Sequence, residues 1–252
     1  MGDAAISLRN LSHAYRPGLP VLEGLDLNIA PGEMVALIGL SGAGKSTLLR
    51  CINGLLTPTE GEVLVLGQDV TQLSEGERVR LRRRIGMIFQ EFNLMDRLSA
   101  LKNVLIGRLG YSPTISSCLH QFRREDVLLA RECLASVGLK GYERRRVRDM
   151  SGGQKQRVAI ARCMAQQAEI ILADEATANL DVLTKEEIMD ILQNLSRMKG
   201  TTILFSMHDV PLARLYCPRI IGLKHGRLTF DAPANELDNA AVQDILHRVP
   251  AV

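Results

Sequence analysis

The sequence predicts an α/β fold built around a mainly parallel sheet with helices on both faces. Apolar, strand-forming runs alternate along the chain with segments of helical periodicity, which is typical of parallel sheets. A glycine-rich loop joins the first strongly apolar run to the first helical segment. The length of 252 residues suits one large domain or two small ones, and 46% hydrophobic with 23% charged residues indicates a globular protein rather than a disordered, collagen-like or coiled-coil chain.

The composition excludes several classes of protein. The formal net charge of +3 is too small to attract nucleic acid or acidic lipid by itself, so we expect no nucleic-acid partner. The longest stretch without a charged residue, 109–122, is shorter than the roughly 20 apolar residues of a membrane span. No basic flank leads into a long apolar run near the N-terminus, so no secretory signal is expected. Five widely spaced cysteines favour reduced, buried thiols in a cytosolic protein over disulfides or a metal cluster.

The beginning of the chain is expected to form strands. Residues 25–29 alternate between apolar and polar side chains, Pro31 and Gly32 form a turn, and an apolar run follows over Met34–Ile38. This pattern predicts a hairpin-like pair of strands. After the glycine loop, residues 45–52 have the composition of a helix.

Two more strands and a helical segment follow. Strands are predicted at 63–66 and 85–89, and between them Ser74 and Glu77 form a capping box that begins a basic helix. Strand signals then fade over residues 91–167, which we interpret as a helical insertion.

The helical insertion and the last third of the chain complete the alternation. Helices are predicted in the insertion at 99–109, 125–137 and 152–167. Gly138 is placed to end the second of these helices and Ser151 to cap the third. A strand at 169–173, a helix with apolar residues spaced over 188–198 and a strand at 201–207 follow.

A phosphate-binding loop is predicted at residues 39–46, which fit the pattern G-x-x-x-x-G-K-[ST] between a buried strand and a helix start. Glycines there let backbone N–H groups converge on phosphate oxygens. Lys45 is suited to reach the terminal phosphates and Ser46 to ligate Mg²⁺. The candidate nucleotide-binding residues of this loop are Gly39, Ser41, Gly42, Ala43, Gly44, Lys45, Ser46 and Thr47.

Two carboxylates follow the apolar strand at 169–173. Ligands of open α/β sheets bind at the carboxyl ends of such strands. Asp174 is therefore suited to hold Mg²⁺, and Glu175 is suited to polarise the water that attacks a phosphate.

A second anion-binding helix start is predicted after Met150. Its residues are Ser151, Gly152, Gly153 and Gln154. The serine is a helix cap, and the glycines expose backbone donors to an anion.

In this order, the phosphate loop, the Met150 to Gln154 signature and the Asp174-Glu175 pair resemble the ATP-binding subunit of ATP-binding-cassette (ABC) transporters. The resemblance covers residues 8–237 and is highly specific. It implies a P-loop NTPase (RecA-like) core with an N-terminal antiparallel β subdomain and an inserted α-helical subdomain. The chain, 1–252, would then be one ABC ATPase domain, with a nucleotide-binding core at 1–90 and 168–252 and the insertion at 91–167.

The same resemblance implies roles for four more residues. Tyr15 matches the aromatic residue that stacks on adenine, and Gln90 matches the glutamine that senses Mg²⁺ and the attacking water and opens the segment facing the membrane subunit. His208 matches the histidine that contacts the γ-phosphate. Asp181, in the run from Asn179, matches the loop that crosses to a partner subunit.

The resemblance also implies partners and a location. Two copies would form a head-to-tail homodimer that sandwiches two ATP molecules with Mg²⁺, each between the phosphate loop of one copy and the signature of the other. The dimer would act on polytopic membrane permease subunits, and through them indirectly on a solute-binding protein. It would be peripheral, at the cytoplasmic face of the inner (plasma) membrane.

Within the family, residues 82–90 with 92–94, and then 107–111, look like the ATPase subunit of phosphonate importers. This likeness implies uptake of a phosphonate or a related phosphorus oxyanion. Importers of other solutes, such as polar amino acids, share much of the pattern and remain an alternative.

Three positions depart from the family pattern. Ala176 stands where proline usually follows the glutamate, Asn179 where serine is usual, and Met150 where leucine is usual. Losing proline frees the backbone beside Glu175, so we expect the departure to affect the rate more than the type of reaction.

Other ATP-binding classes share some of these motifs. Chromosome-maintenance and DNA-repair ATPases separate phosphate loop and signature by a long coiled coil, but no heptad run lies between Ser46 and Ser151. Translation-associated members carry two cassettes, whereas this sequence contains one. A nucleotide-gated binding module with little hydrolysis stays open because of Ala176, although Glu175 and His208 favour hydrolysis.

Overall fold

The computed structural model describes residues 4–111, 122–178 and 180–246. Its strands are β1 (Ile6–Arg16), β2 (Leu19–Ile29), β3 (Met34–Ile38), β4 (Glu60–Val65), β5 (Gln68–Asp69), β6 (Ile85–Ile88), β7 (Ile170–Asp174), β8 (Thr202–Met207), β9 (Arg219–Lys224) and β10 (Arg227–Pro233). Its helices are α1 (Lys45–Ile52), α2 (Glu75–Arg82), α3 (Ala100–Ile106), α4 (Arg124–Ser136), α5 (Gly152–Ala165), α6 (Val182–Lys199), α7 (Val210–Tyr216) and α8 (Asn239–Leu246). None of these described helices is both long and apolar enough to cross a lipid bilayer.

The strands form two sheets. The larger has the order β10-β9-β3-β8-β7-β6, and its neighbours are parallel except for the terminal pair β9–β10. The smaller is antiparallel, with the order β2-β1-β4-β5. The predicted α/β fold with a mainly parallel sheet and an antiparallel sheet near the N-terminus is therefore confirmed.

Strand β3 lies between two hydrophobic cores. Met34, Ala36 and Ile38 point into a core shared with the helices between residues 100 and 165. Val35 and Leu37 point into a second core shared with α1 and the antiparallel sheet. Because successive side chains of a strand point to opposite faces, one apolar run joins both halves of the molecule. The glycine loop that follows β3 is thereby held by a fully buried strand.

The predicted hairpin of residues 25–29 with Met34–Ile38 is wrong. Strand β2 pairs with β1 in the antiparallel sheet, whereas β3 pairs with β8 and β9 in the parallel sheet. The reason is burial: all five residues of β3 are buried, which requires cover on both faces, while β2 alternates between buried and exposed positions. The turn at Pro31 and Gly32 therefore connects the two sheets.

The predicted ends of several helices are confirmed. Ser74 and Glu77 form the capping box of α2, and the Ser151 side chain accepts a hydrogen bond from the Gln154 backbone at the start of α5. Gly138 follows α4 with a φ of 75°, which glycine adopts without strain. Helices α3, α4 and α5 pack on one another within the segment predicted to be helical.

The described cysteines are buried free thiols. They are Cys51, Cys133, Cys163 and Cys217, and Cys118 lies outside the described residues. Burial raises the pKa of the Cys133 thiol to about 11 and that of the Cys51 thiol to about 12. These thiols are therefore protonated and unreactive at neutral pH.

Candidate nucleotide-binding site

A cavity of about 360 Å³ lies at the carboxyl ends of the parallel strands, where open α/β sheets bind ligands. Its lining residues come from β2, the glycine loop, the start of α1 and the ends of β6 and β7. They are Val21, Ser41, Gly42, Gly44, Lys45, Ser46, Thr47, Gln90 and Glu175. Seven predicted nucleotide-binding or catalytic residues from distant parts of the sequence thus meet with the exposed Gln90 in one cavity.

At two positions of the loop, neighbouring strands lie so close to the backbone that only glycine fits. A Cβ on Gly39 would lie 2.3 Å from the Leu223 carbonyl oxygen, and a Cβ on Gly44 would lie 2.7 Å from Leu22 Cδ2. Gly44 also has a φ of 107° immediately before α1. The loop is therefore pressed against the strands, with its backbone turned into the helix start. Ala43 is buried under the loop.

Lys45 is held beneath the loop. Its Nζ donates to the Gly39 carbonyl oxygen at 2.9 Å and to the Leu40 carbonyl oxygen at 3.1 Å. It also lies 3.6 Å from Glu175 Oε1 and 3.4 Å from His208 Nε2. Burial lowers the pKa of the Lys45 ammonium, and the nearby carboxylates of Glu175 and Asp174 oppose that change.

Glu175 contacts two side-chain nitrogens with one oxygen. Its Oε1 is 2.5 Å from His208 Nε2 and 3.6 Å from Lys45 Nζ, and these two nitrogens are 3.4 Å apart. The position that faces both nitrogens therefore suits an anion, and the Glu175 carboxylate is the anion there. A terminal phosphate that bound both groups would replace these contacts of Glu175.

Two oxygen donors for a hard cation are adjacent. Ser46 Oγ, from α1, donates to Asp174 Oδ1, at the end of β7, at 3.0 Å. A serine hydroxyl and one carboxylate fit Mg²⁺, which uses one or two carboxylates together with phosphate oxygens and water. Over residues 4–111, 122–178 and 180–246 no group of three or more His, Cys, Asp or Glu side chains is arranged to hold a metal ion.

Sequence reasoning missed Ser206, a fully buried residue of β8. Its Oγ donates to Asp174 Oδ1 at 2.9 Å and accepts the Glu175 backbone N–H at 3.0 Å. The available signal is a serine near the end of a mainly apolar strand, two residues before His208. That signal is weak, because the contact depends on β7 and β8 being neighbours.

Tyr15 makes a polar contact with Thr47, at the start of α1. Its hydroxyl is 3.2 Å from Thr47 Oγ1, and its ring stands edge-on to His13 with centroids 4.9 Å apart. The tyrosine is 53% exposed. Its predicted contact with adenine stays a prediction.

The signature residues lie outside this cavity. Ser151 and Gly152 are exposed. The Gln154 backbone N–H donates to Ser151 Oγ at 3.3 Å, and the Ser151 backbone N–H donates to Gln154 Oε1 at 3.1 Å. A Cβ on Gly153 would lie 2.4 Å from Thr184 Cγ2, so glycine here allows α5 to approach α6. Within the described residues, one chain does not bring the signature to its own phosphate loop.

Asp181 also lies away from the cavity lining. It caps α6, where Oδ1 accepts the Thr184 N–H at 2.9 Å and Oδ2 accepts the Thr184 hydroxyl at 2.8 Å. Its predicted contact with a nucleotide or partner stays a prediction, and Asn179 lies outside the described residues.

Comparison with known proteins places the chain in a family. Residues 22–178 match the family model described as ABC transporter. The chain is 45% identical over 233 residues, 92% of this chain and 84% of the relative, to the phosphonates import ATP-binding protein PhnC of Alcaligenes faecalis. It is 44% identical over 243 residues, 96% of this chain and 95% of the relative, to the protein of the same name from Staphylococcus aureus strain USA300.

Two solved structures share the fold. The ATP-binding cassette MJ0796, in a dimeric post-hydrolysis state bound to ADP and Pi, has a TM-score of 0.77 and 36% identity and covers 91% of this chain and 98% of its own. The protein cbiO1 from Clostridium perfringens, part of the ABC transporter complex cbiONQ, has a TM-score of 0.84 and 28% identity. The match covers 96% of this chain and 94% of cbiO1. Its phosphate loop and Glu175 line one cavity, Asp174 and His208 contact those lining residues, and the chain belongs to the ABC transporter family as an ATP-binding, ATP-hydrolysing subunit.

Proposed function

We propose that this protein is the ATPase of an importer for a phosphonate or a related phosphorus oxyanion, and that ATP-driven dimerisation powers uptake through separate membrane subunits. The observation that carries the ATPase role is the meeting of Lys45, Glu175 and His208 beside the glycine loop. The solute class is supported by the relatives at 44–45% identity, which are phosphonates import ATP-binding proteins. The sequence divides in this proposal into a nucleotide-binding core, 1–90 and 168–252, and a helical insertion, 91–167.

The triphosphate binds along the glycine loop. Ser41, Gly42, Gly44 and the first residues of α1 line the cavity, and backbone N–H groups of a glycine loop and a helix start suit phosphate oxygens. Lys45 contributes a positive charge whose Nζ is already directed by the Gly39 and Leu40 carbonyls. Tyr15 offers the exposed face of its ring to the adenine.

Ser46, Asp174 and Gln90 hold Mg²⁺ in this proposal. The first two are joined by a hydrogen bond, and Gln90 lines the same cavity after β6. Mg²⁺ supplies charge neutralisation at the terminal phosphates.

Glu175 acts as the general base. The approach of a γ-phosphate to Lys45 and His208 frees the Glu175 carboxylate from both contacts. The carboxylate then accepts a proton from a water molecule at Oε1 while His208 donates a hydrogen bond to the phosphate. In this proposal, binding of the triphosphate therefore activates the base, because it displaces the Glu175 carboxylate from Lys45 and His208.

The complete site requires two copies of the chain. Ser151 and Gly153 of the partner subunit would cover the phosphates from the side opposite the loop. The support is that the first turn of α5 is exposed and lies outside the cavity of its own chain. The cassette MJ0796, which resembles this chain, is dimeric. Hydrolysis removes the ligand that joins the two halves, so closing and opening follow the nucleotide state.

A groove beside the site suits the membrane subunits. It has a volume of about 410 Å³ and runs from the end of β6 between α2 and the helical insertion. Its apolar residues include Leu55 and Val79, which are 48% and 44% exposed. Its charged residues are Arg82, Arg83 and Arg162. We assign this groove to a permease loop at the cytoplasmic membrane face that carries apolar and acidic side chains, which match the apolar residues and arginines of the groove. The groove also adjoins the nucleotide cavity, because Phe89 lines the groove and the next residue, Gln90, lines the cavity.

Reconstitution tests this function. The protein is placed in proteoliposomes with the polytopic subunits and binding protein encoded beside it, and ATP hydrolysis is measured with methylphosphonate, phosphite, histidine or glutamine inside the binding protein's compartment. We expect stimulation by methylphosphonate or phosphite and none for a Lys45→Ala control. Stimulation by the amino acids alone would assign the other importer class. ATP binding without hydrolysis under every condition would show a nucleotide-gated binding module.

A further inference from the structure

We propose that Ser206 is a positioning residue for ATP hydrolysis, acting on both carboxylates of the site. This inference rests on the proposed function of Asp174 and Glu175. The hydroxyl of Ser206 joins Asp174, the last residue of β7, and Glu175, which follows it, to the neighbouring strand β8. Ser206 does not line the nucleotide cavity, so we expect it to act by orienting the two carboxylates.

The Ser206 hydroxyl has a defined orientation. A serine hydroxyl has one proton to donate and lone pairs to accept with. Its proton is directed at Asp174 Oδ1 at 2.9 Å, and its oxygen accepts the Glu175 N–H at 3.0 Å. Rotation of the side chain would break both bonds. Full burial removes water as a replacement partner.

The Glu175 backbone needs such support. Its φ of 48° lies in the left-handed region, which residues other than glycine rarely adopt. The Glu175 N–H is shared between the Ser206 carbonyl oxygen at 3.1 Å and the Ser206 hydroxyl at 3.0 Å. This backbone conformation directs the carboxylate toward Lys45 and His208.

Asp174 is fixed from two sides. Its Oδ1 accepts a hydrogen bond from Ser46 of α1 at 3.0 Å and from Ser206 of β8 at 2.9 Å. Two donors on one oxygen select one rotamer of the carboxylate. Ser206 therefore orients the proposed Mg²⁺ ligand and the proposed base together.

Removal of this hydroxyl leaves no buried partner unpaired. In Ser206→Ala, the Glu175 N–H keeps the Ser206 backbone carbonyl, and Asp174 Oδ1 keeps Ser46. The change is close to isosteric and adds no volume to the buried strand. We therefore expect the variant to fold normally and to lose orientation rather than stability.

The test compares Ser206→Ala with Thr202→Ala. Thr202 lies on the same strand, is also buried, and its hydroxyl accepts the Gly32 N–H at 2.9 Å away from the cavity. Steady-state ATPase, thermal melting and Mg²⁺ titration of fluorescent ADP binding are measured on the purified full chain. For Ser206→Ala we expect kcat to fall about 10- to 100-fold and the half-saturating Mg²⁺ concentration to rise about 10-fold, the scale of losing a ligand-orienting hydrogen bond.

The control and a third variant separate orientation from folding. Thr202→Ala is expected to lower the melting temperature without changing the Mg²⁺ requirement. Ser206→Cys keeps the shape with a weaker donor and is expected to fall between Ser206→Ala and the unaltered protein.

Three results distinguish this inference from the function on which it rests. Unchanged kcat and Mg²⁺ requirement in Ser206→Ala, with Glu175→Gln inactive, would overturn the role of Ser206 alone. A kcat loss in Ser206→Ala that comes with the melting shift and Mg²⁺ requirement of Thr202→Ala would also overturn it, as a structural effect. Full turnover in Glu175→Gln would overturn the proposed function itself.

Discussion

Glu175 makes contacts in this structure that a triphosphate bound to Lys45 and His208 would replace. Its carboxylate interacts with Lys45 and His208, the two groups best placed to meet a γ-phosphate. The same residue is proposed to activate water once those contacts are gone. At the scale of single residues, the proposed mechanism therefore links ATP binding and base activation through one carboxylate.

Replacing the base tests this linkage. In Glu175→Gln the amide oxygen keeps a contact for Lys45, but the side chain no longer accepts a proton, so we expect ATP binding to persist and turnover to fall by about 10² or more. Equilibrium binding and phosphate release measure the two quantities separately. Glu169→Gln, at the opposite end of β7, is the control that keeps full turnover. Normal turnover of Glu175→Gln would place the base at another residue.

The residue after the base is a second test. The Ala178 N–H donates to the Glu175 carbonyl oxygen at 2.9 Å, so residues 175–178 form a β-turn with Ala176 at its second position. Proline is favoured at that position and reduces the freedom of the unfolded chain. We expect Ala176→Pro to hydrolyse ATP equally fast or faster, measured as kcat. A large loss of kcat would show that alanine is an adaptation of this protein.

At the scale of elements, the segment after α3 ties three helices together. Arg108 Nε donates to Asp126 Oδ1 of α4 at 2.7 Å, and Arg108 Nη1 donates to the Ala165 carbonyl oxygen of α5 at 3.1 Å. The guanidinium also lies 4.2 Å from the centroid of the Tyr111 ring. The 107–111 segment, which resembles phosphonate importers, thus acts in packing, close to the groove assigned to the membrane subunits.

This clamp gives a stability prediction. Asp126 is only 8% exposed at its side chain, so Arg108→Met leaves a buried charge without its partner and is expected to cost about 3 kcal/mol. The double variant Arg108→Met with Asp126→Leu removes that charge and is expected to recover most of the loss. Urea unfolding midpoints measure both. A double variant less stable than the single one would show that the ion pair itself supplies the stability.

At the scale of the whole molecule, the position of the signature decides how many chains make one site. Ser151 is exposed at the start of α5, and the cavity of the same chain has no signature residue in its described lining. A head-to-tail dimer explains both facts with one arrangement.

Mixed dimers test this arrangement. In a Glu175→Gln background, which blocks hydrolysis, Lys45→Ala and Ser151→Arg are placed either on the same subunit or on different subunits, and Mg²⁺-dependent bound ATP per dimer is counted. If each site is built from two chains, then placing Lys45→Ala and Ser151→Arg on different subunits affects a single ATP site and leaves the other site intact. Placing both changes on one subunit then destroys both sites. The reverse pattern would mean that each chain builds its own site.

The local motifs were predictable because each is defined by neighbouring residues. The glycine spacing at 39–46, the acids at the end of β7 and the serine cap of α5 are short-range patterns. The structure brings Glu175 into one cavity with the glycine loop and Asp174 into contact with Ser46 of that cavity. Strand β1 was not predicted, because register shifts between Leu8 and Leu11, and a φ of 46° at Asn10, break the alternation that marks a strand. Strands β9 and β10 also had no assignment in the sequence analysis.

The sequence by itself determined which residues are the candidates to bind phosphate, Mg²⁺ and the attacking water, and the family to which they point. Only the tertiary structure decided the partners of those residues. It placed β3 at the centre of the parallel sheet instead of in a hairpin, and it brought Ser206 against Asp174 and Glu175. The physical reason is that a motif is encoded over a few adjacent residues, whereas strand order and the hydrogen bonds across it arise from burying both faces of a sheet at once.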